Sequence, residues 1–196
     1  MNKIILITTI SVFCFSANLE GQQLKLLLGG GLELGGDEVY ELFFTNGDSS
    51  KGRAGQGGFI EAGGLYQLKS VPDLHFRGTM GFKFLLNPTE NANTRITRFP
   101  VNISANWMID DNFRLGVGAS KHLSAKVIGD GFVQDRDFSS SIGPRLEFAY
   151  KGVALTYSHL NYTDQNNMDF DASSFGLAYS GTINFRKKTE AVPKDQ

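Results

Sequence analysis

The chain has 196 residues, with 19 Lys and Arg against 20 Asp and Glu and a net charge of −1. That length holds one domain with a sizeable core, not two, and the balanced charge gives no electrostatic reason for a nucleic-acid partner. With 23 glycines and 16 phenylalanines beside only 5 prolines, the composition favours strands and turns over helices.

The chain opens as an export signal. Asn2 and Lys3 form a short polar start, Ile4 to Phe15 is a nearly unbroken apolar run, and small and polar residues follow from Ser16 to Gln23. A run of about 12 is too short for a membrane helix, which needs roughly 20. Cleavage is expected between Ser16 and Gln23, with Gly21–Gln22 a suitable junction, so 1–21 is assigned as signal peptide. Cys14, the single cysteine, falls inside it. The mature chain then has no disulfide, thiolate nucleophile or zinc–sulfur site. No other apolar run reaches helix-spanning length, and the remaining way to satisfy backbone groups in hydrocarbon is a closed barrel.

From Leu24 onward the apolar residues alternate, the strand period. Leu24, Leu26, Leu28, Leu32 and Leu34 oppose Lys25, Gly29, Gly31 and Glu33. Ile60, Ala62 and Tyr66 oppose Glu61, Gly63 and Gln67. The clearest segment sets Leu74, Phe76, Met80, Phe82, Phe84 and Leu86 against His75, Arg77, Thr79 and Lys83. Phe99, Val101, Ile103 and Trp107 oppose Arg98, Asn102, Ser104 and Asn106, and Phe113, Leu115 and Val117 oppose Arg114, Ser120 and His122. The sixth segment puts Phe138, Ile142, Leu146, Phe148 and Tyr150 against Ser139, Ser141, Arg145 and Glu147. Val153, Leu155 and Tyr157 mark the seventh, and Phe175, Leu177, Tyr179, Ile183 and Phe185 the eighth. Pro100 and Pro144 fall within strands, where a bulge or strand end is expected.

The connections alternate in length. Short turns fall at 70–73, 110–112 and 150–152. Long polar connections fall at 37–56, 87–94, 126–137 and 163–171. Outer-membrane barrels have this asymmetry, with short periplasmic turns and longer external loops. The reading is therefore an all-β, eight-stranded antiparallel up-and-down transmembrane barrel over 22–185. A charged, disordered periplasmic tail is expected at 186–196.

Alternation alone leaves open whether the apolar face meets lipid or encloses a ligand, as in a secreted lipocalin-like barrel. Three features favour lipid. The polar face carries Gly, Ser, Thr and Asn with scattered charges, which suits a narrow lumen. Aromatics gather near strand ends: Tyr66, Trp107, Phe113, Tyr150 and Phe185 by the turns, and Phe59, Phe138, Tyr157 and Phe175 by the loops. The last strand also closes on Tyr179, Ile183 and Phe185.

With these features, and with Gly143-Pro144-Arg145 in the sixth strand, residues 23–185 resemble the small outer-membrane β-barrels of Gram-negative bacteria. The likeness is to the OmpA/OmpX-like group and the barrel-domain proteins common in Bacteroidetes. It implies a cell-envelope location with extracellular loops and periplasmic termini. It also implies a lipid and lipopolysaccharide surround. Periplasmic chaperones and the barrel-assembly machinery would handle the chain, the latter reading Tyr179, Ile183 and Phe185 as its signal. No cofactor, metal or catalytic residue is implied.

The charges on the lumen face are Lys25, Glu33, Glu61, His75, Arg77, Lys83, Arg98, Arg114, Arg145, Glu147 and Lys151. Because eight strands leave room for little beyond side chains, Glu33, Glu61, Arg77, Lys83, Arg98, Arg114, Arg145 and Glu147 are expected to form a paired network. The functional alternative is a small solute or ion pore, anion-biased by the excess of basic residues. Ser158-His159-Leu160-Asn161 is similar to the catalytic stretch of barrel lipid A deacylases. However, Asn161 stands where the nucleophile should be, and Ser158 points to the opposite face from His159. Asp164, Asn166, Asn167, Asp169 and Asp171 lack calcium-loop spacing. The runs at 29–31 and 55–58 have no phosphate-loop context. In the first loop, Val39, Tyr40, Leu42, Phe43 and Phe44 form an apolar patch expected to be an interaction surface for an unknown extracellular ligand. The function expected is structural or surface-interacting, through the loops.

Overall fold

The computed structural model describes residues 24–43, 47, 49–89 and 92–184, so the assigned signal peptide, the tail, Phe44 and Phe185 lie outside the described residues. Within them all regular structure is strand. In chain order the strands are β1 (Leu24–Leu34), β2 (Glu38–Phe43), β3 (Ser49–Arg53), β4 (Gly57–Gln67), β5 (Leu74–Thr89), β6 (Ala92–Met108) and β7 (Phe113–Ile128). They continue with β8 (Arg136–Ser140), β9 (Ile142–Tyr150), β10 (Val153–Ser158), β11 (Asn161–Asp164), β12 (Asp169–Asp171) and β13 (Ser174–Asn184).

Eight of them close a ring in the order β1-β4-β5-β6-β7-β9-β10-β13 and back to β1. Every neighbouring pair is antiparallel, so no edge strand is left in the ring. The pairing is long: β6 meets β7 from Met108↔Arg114 to Arg95↔Ile128. Short turns close one end. At Asp110 the carboxylate accepts from the Asn112 and Phe113 amides at 2.7 and 2.8 Å, the Asx geometry that suits Asp to that place. At the other end β5, β6 and β7 extend well beyond β1 and β4. Segments β8, β11 and β12 prolong β9, β10 and β13, pairing β7–β8, β8–β11 and β11–β12.

The two faces exchange polarity along these strands. In the ring, the outward side chains are apolar and exposed, among them Ile103, Leu115, Val117, Leu146, Leu155, Leu177 and Tyr179. The inward ones are mostly polar and buried, among them Arg77, Asn102, Ser104, Asn106, Ser120, Arg145, Thr156 and Ser158, with Leu27, Leu65 and Phe59 beside them. Above the ring the pattern inverts. Ile96, Ala125, Val127, Phe138, Leu160, Tyr162 and Ala172 point inward and are buried, while Arg95, Lys126, Asp137, Asn161 and Asp169 are exposed. Two strands change phase to manage this. In β7 an extra residue at Ser124 (φ 48°) shifts the register between Thr97 and Phe99 of β6, so Ala125 rather than Ser124 turns inward. Between β8 and β9 the strand breaks at Ser141.

Several expectations are corrected. Phe138, read as part of an external aromatic belt, lies above the ring, where the inversion turns it inward, and is buried; Phe59, read likewise, is buried on the lumen face of the ring, opposite Gly31 and Lys83. The connection read as a loop at 87–94 is a continuation of the sheet, with Pro88 opposite Asn93. Pro100 lies inside β6 rather than at its end. The β5–β6 ladder is interrupted beside it, passing from Met80↔Val101 to Lys83↔Arg98. Pro144 sits two residues into β9, next to the break.

Candidate functional site

The lumen face of the ring is a chain of charge-assisted hydrogen bonds. Glu33 on β1 accepts from the Lys83 ammonium on β5, which is in close contact, and from Ser174 at 3.1 Å. Its second oxygen accepts from Arg145 on β9 at 3.3 Å. Arg145 also donates to Ser158 at 3.0 Å and, through Nε, to Glu147 at 3.2 Å. Glu147 in turn accepts from Arg77 of β5 at 2.9 Å and Arg114 of β7 at 3.1 Å. Arg77 continues to Ser180 at 2.9 Å. Three of the ion pairs join strands that are not ring neighbours, β5 with β9, β9 with β1 and β5 with β1, while Arg114 and Glu147 sit on the neighbouring β7 and β9. The ion pairs therefore brace the barrel across its interior and fill it. Glu33, Arg77, Lys83 and Arg145 are buried and Glu147 and Arg114 nearly so, at 11% and 13% side-chain exposure, so each depends on its partner.

The eight residues read from sequence as one network are divided by the structure. Glu33, Arg77, Lys83, Arg114, Arg145 and Glu147 form the chain just described. Glu61 bonds instead to neutral side chains, accepting from Thr79 at 2.7 Å and Asn102 at 3.2 Å, with Ser120 donating to Asn102 at 2.7 Å. Arg98, fully buried, grips the first loop instead. It donates to the carbonyls of Ala54 at 2.5 Å and of Gln56, and Lys83 donates to the carbonyl between them, Gly55, at 2.6 Å. Two lumen cations thus hold three successive carbonyls of the segment entering β4. Gly55 is needed there, because a Cβ would collide with the Ser173 carbonyl. Gly36, at φ 82°, makes the bend into β2. Lys151, placed on the lumen face by its sequence position, is on an exposed turn over the Tyr150 ring.

The first loop is a closure, not a display. Hairpin β2–β3 lies over the mouth, with Val39, Tyr40 and Leu42 buried against Ile96, Val127, Phe138 and Tyr162. Tyr40, read as part of an exposed patch, is 5% exposed. The side chain of Phe43 and all of Phe44 lie outside the described residues. On the outer side of the hairpin, Lys51 donates to Glu38 at 2.9 Å, and Arg53 joins the same carboxylate at 3.1 Å. The Lys51 hydrogen bond holds the Glu38 carboxyl below its ordinary range, and Glu38 in turn raises Lys51. Beneath the hairpin, buried His122 is in close contact with the Tyr162 hydroxyl. Sequence reading missed the pair because the residues lie 40 positions apart on different strands.

His159 faces outward and is hydrogen-bonded to Ser173 at 2.8 Å, a partner 14 residues away that no local motif could show. Ser158 faces the lumen, bound to Arg145. Among the described residues no carboxylate is bonded to His159, and no cluster could hold a metal ion. Of the assembly-signal residues, Tyr179 and Ile183 lie outward on β13, exposed, and Phe185 falls outside the described residues.

No family model matches the sequence, and no curated protein matches it. Solved structures of barrels do. The attachment invasion locus protein Ail of Yersinia pestis, in complex with the heparin analogue sucrose octasulfate, is similar at 11% identity. It covers 81% of this chain and 98% of its own, with a TM-score of 0.43. Neisserial surface protein A is similar at 13% identity, covering 83% and 97%, with a TM-score of 0.45. A de novo designed transmembrane β-barrel matches at 12% identity over 80% and 95%, with a TM-score of 0.26. At such identities the likeness concerns the fold, which the strand pairing establishes by itself.

Proposed function

We propose that this chain is an outer-membrane β-barrel, of the OmpA/OmpX-like kind its sequence resembles, with a structural and surface-interaction role and no catalysis. The observation that carries the reading is the exchange of polarity between the two faces. Apolar side chains around the whole ring are tolerable in lipid and not in water. Above that band the same strands turn polar outward and apolar inward, as in a water-soluble domain. At a rise of about 3.3 Å per residue and a tilt near 40°, each residue climbs roughly 2.5 Å. The 17 residues of β6 then exceed the apolar band of about 25 Å, and the surplus stands beyond the membrane on the loop side. That side is taken as extracellular, with both termini periplasmic.

The interior favours a closed barrel over the pore alternative. Ion pairs cross it, and the 54–56 segment is latched into its mouth. The ligand-binding alternative loses support because the enclosed face of the ring is charged and filled. The surface available to partners is then the loop-side extension.

Two measurements test this. Extracted from membranes, the protein is expected to migrate faster in SDS before heating than after, and to fractionate with the outer membrane. A soluble protein with no mobility change would overturn the reading. Reconstituted into planar bilayers, the folded form is expected to give no channel steps; steady conductance would replace the closed barrel with the pore.

A further inference from the structure

The lumen network does not balance its own charge. Its connected members are Arg77, Lys83, Arg114 and Arg145 against Glu33 and Glu147, four cations to two carboxylates. Glu61, also on the lumen face, is bonded to Thr79 and Asn102. Excess charge in a low-dielectric interior is unfavourable unless an opposite charge meets it. Toward the loop end, backbone carbonyls solvate Lys83 and Arg98. Toward the turn end the excess grows. Lys25 shares the inward face of β1 with Leu27 and Glu33, is half-buried, and makes no ion pair among the described residues. Its register partner Leu65 is itself opposite Arg77. His75 lies within electrostatic reach of both Lys25 and Arg114, and Arg114 of Arg77. Asp73, which also reaches His75, is exposed on the turn.

Unpartnered polar atoms gather in the same place. Arg77 Nε, Arg114 Nε, His75 Nε2, Thr156 Oγ1 and Asn106 Oδ1 are buried with no hydrogen-bond partner. Arg77 is only 6% exposed and Asn106 not at all. His75, Asn106, Gly116, Glu147 and Thr156 form one row across β5, β6, β7, β9 and β10. Arg77 and Arg114 stand two residues from that row on β5 and β7. Buried polar atoms without partners are uncommon in native interiors, and a group of them beside excess positive charge calls for an anion.

The set also says which anion. The guanidinium and hydroxyl groups donate, whereas the Asn106 oxygen only accepts, its amide nitrogen being bonded to Ser104 at 2.8 Å. Chloride and sulfate offer acceptors alone. Phosphate at neutral pH offers acceptor oxygens and a P–OH donor. We infer that the turn-side half of the lumen is a binding site for inorganic phosphate. Lys25, Arg77 and Arg114 meet its oxygens, and its hydroxyl donates to Asn106 Oδ1. The ion enters past Arg114 and Lys25, because the β2–β3 hairpin covers the other mouth. Only the naming of this mouth as periplasmic rests on the outer-membrane reading above.

The test compares the wild type, Lys25→Gln, Arg114→Gln and Lys51→Gln in detergent micelles, where both mouths meet the solution. Each is heated in phosphate, sulfate or chloride at neutral pH and equal ionic strength. The readout is the temperature at which the fast-migrating folded band is lost. Phosphate is expected to raise it saturably in the wild type and in Lys51→Gln, which removes a charge at the far end of the molecule. The gain over chloride is expected to be about 5 °C at a hundredfold excess over half-saturation, with sulfate giving less than half of it. Lys25→Gln and Arg114→Gln are expected to lose the gain; Lys25 has no ion pair to break, so its loss reports the site and not a disturbed lumen. No gain in the wild type, an equal gain in sulfate, or an undiminished gain in both lumen variants would overturn the site. A wild type with no fast-migrating band in any salt would overturn the membrane-barrel reading instead.

Discussion

The ring and the extension above it solve the same packing problem with opposite chemistry. In the ring, Arg77, Arg114, Arg145 and Glu147 fill the interior and Leu115, Val117 and Leu155 cover the outside. In the extension, Ile96, Val127, Phe138 and Tyr162 fill the interior and Arg95, Lys126 and Asp137 cover the outside. Strands β5, β6 and β7 run through both, so backbone architecture does not decide the polarity. On the membrane reading proposed above, the surrounding solvent does. Where the outside is apolar, the interior takes the polar groups and must then pair them; where the outside is wet, the interior reverts to a hydrophobic core.

The largest expected effect comes from breaking the ring's charge chain. Glu147→Gln leaves Arg77, Arg114 and Arg145 without their shared carboxylate and is expected to destabilise the folded barrel by about 3–5 kcal/mol, measured by urea unfolding in detergent. In the extension, Ile96→Ala is expected to cost about 2–4 kcal/mol, through transfer and cavity terms. Ionic strength would separate the two mutants little, since both sites are buried.

A smaller effect is expected where the two regions are joined. Arg98→Met removes the donor to Ala54 and Gln56 and leaves buried carbonyls unpaired, a loss of about 1–3 kcal/mol. Because that loss falls on the loop, trypsin cleavage after Arg53 should rise before the ring unfolds. Unchanged cleavage would show that the apolar contacts of Val39, Tyr40 and Leu42 hold the hairpin without the latch.

The smallest effect is on the hairpin's outer face. Glu38, held low by Lys51, contributes above the ordinary carboxylate range, and the contribution is lost as pH falls through its lowered value. Lys51, held high, contributes below the ordinary ammonium range and loses its share as pH rises through its raised value. Hairpin protection from proteolysis should therefore weaken in acid below the carboxylate range, and Glu38→Gln should remove that pH dependence with little change at neutral pH.

The ring was legible in the sequence because its signal is local. Alternation in Leu74–Leu86 and Phe99–Trp107 assigns each residue to a face without knowledge of its neighbours, and the faces of the ring are as read. The extension was not, because the rule for assigning faces changes sign between the ring and the extension. Phe138 is apolar, and a single rule for the whole strand sends it outward; Phe59 alternates with outward Ile60, and only its aromatic character placed it in the belt. Nothing local marks the phase shift at Ser124. Tyr40 failed similarly: an apolar run in a polar loop reads as an exposed patch until the core that receives it is known. The lumen charges were identifiable as a set, but their pairing depends on which strands face across the ring. Glu61 and Arg98 therefore could not be separated from the rest in advance.

The most direct measurement of the polarity exchange is spin-label accessibility along the outer face of β7 in lipid vesicles, using cysteine substitutions at Leu115, Val117, Ala119 and Lys126. The expected result is access to lipid-soluble oxygen at Leu115, Val117 and Ala119, and to a water-soluble nickel reagent at Lys126. Uniform access to the nickel reagent at all four positions would contradict the account, since the apolar ring would then stand in water.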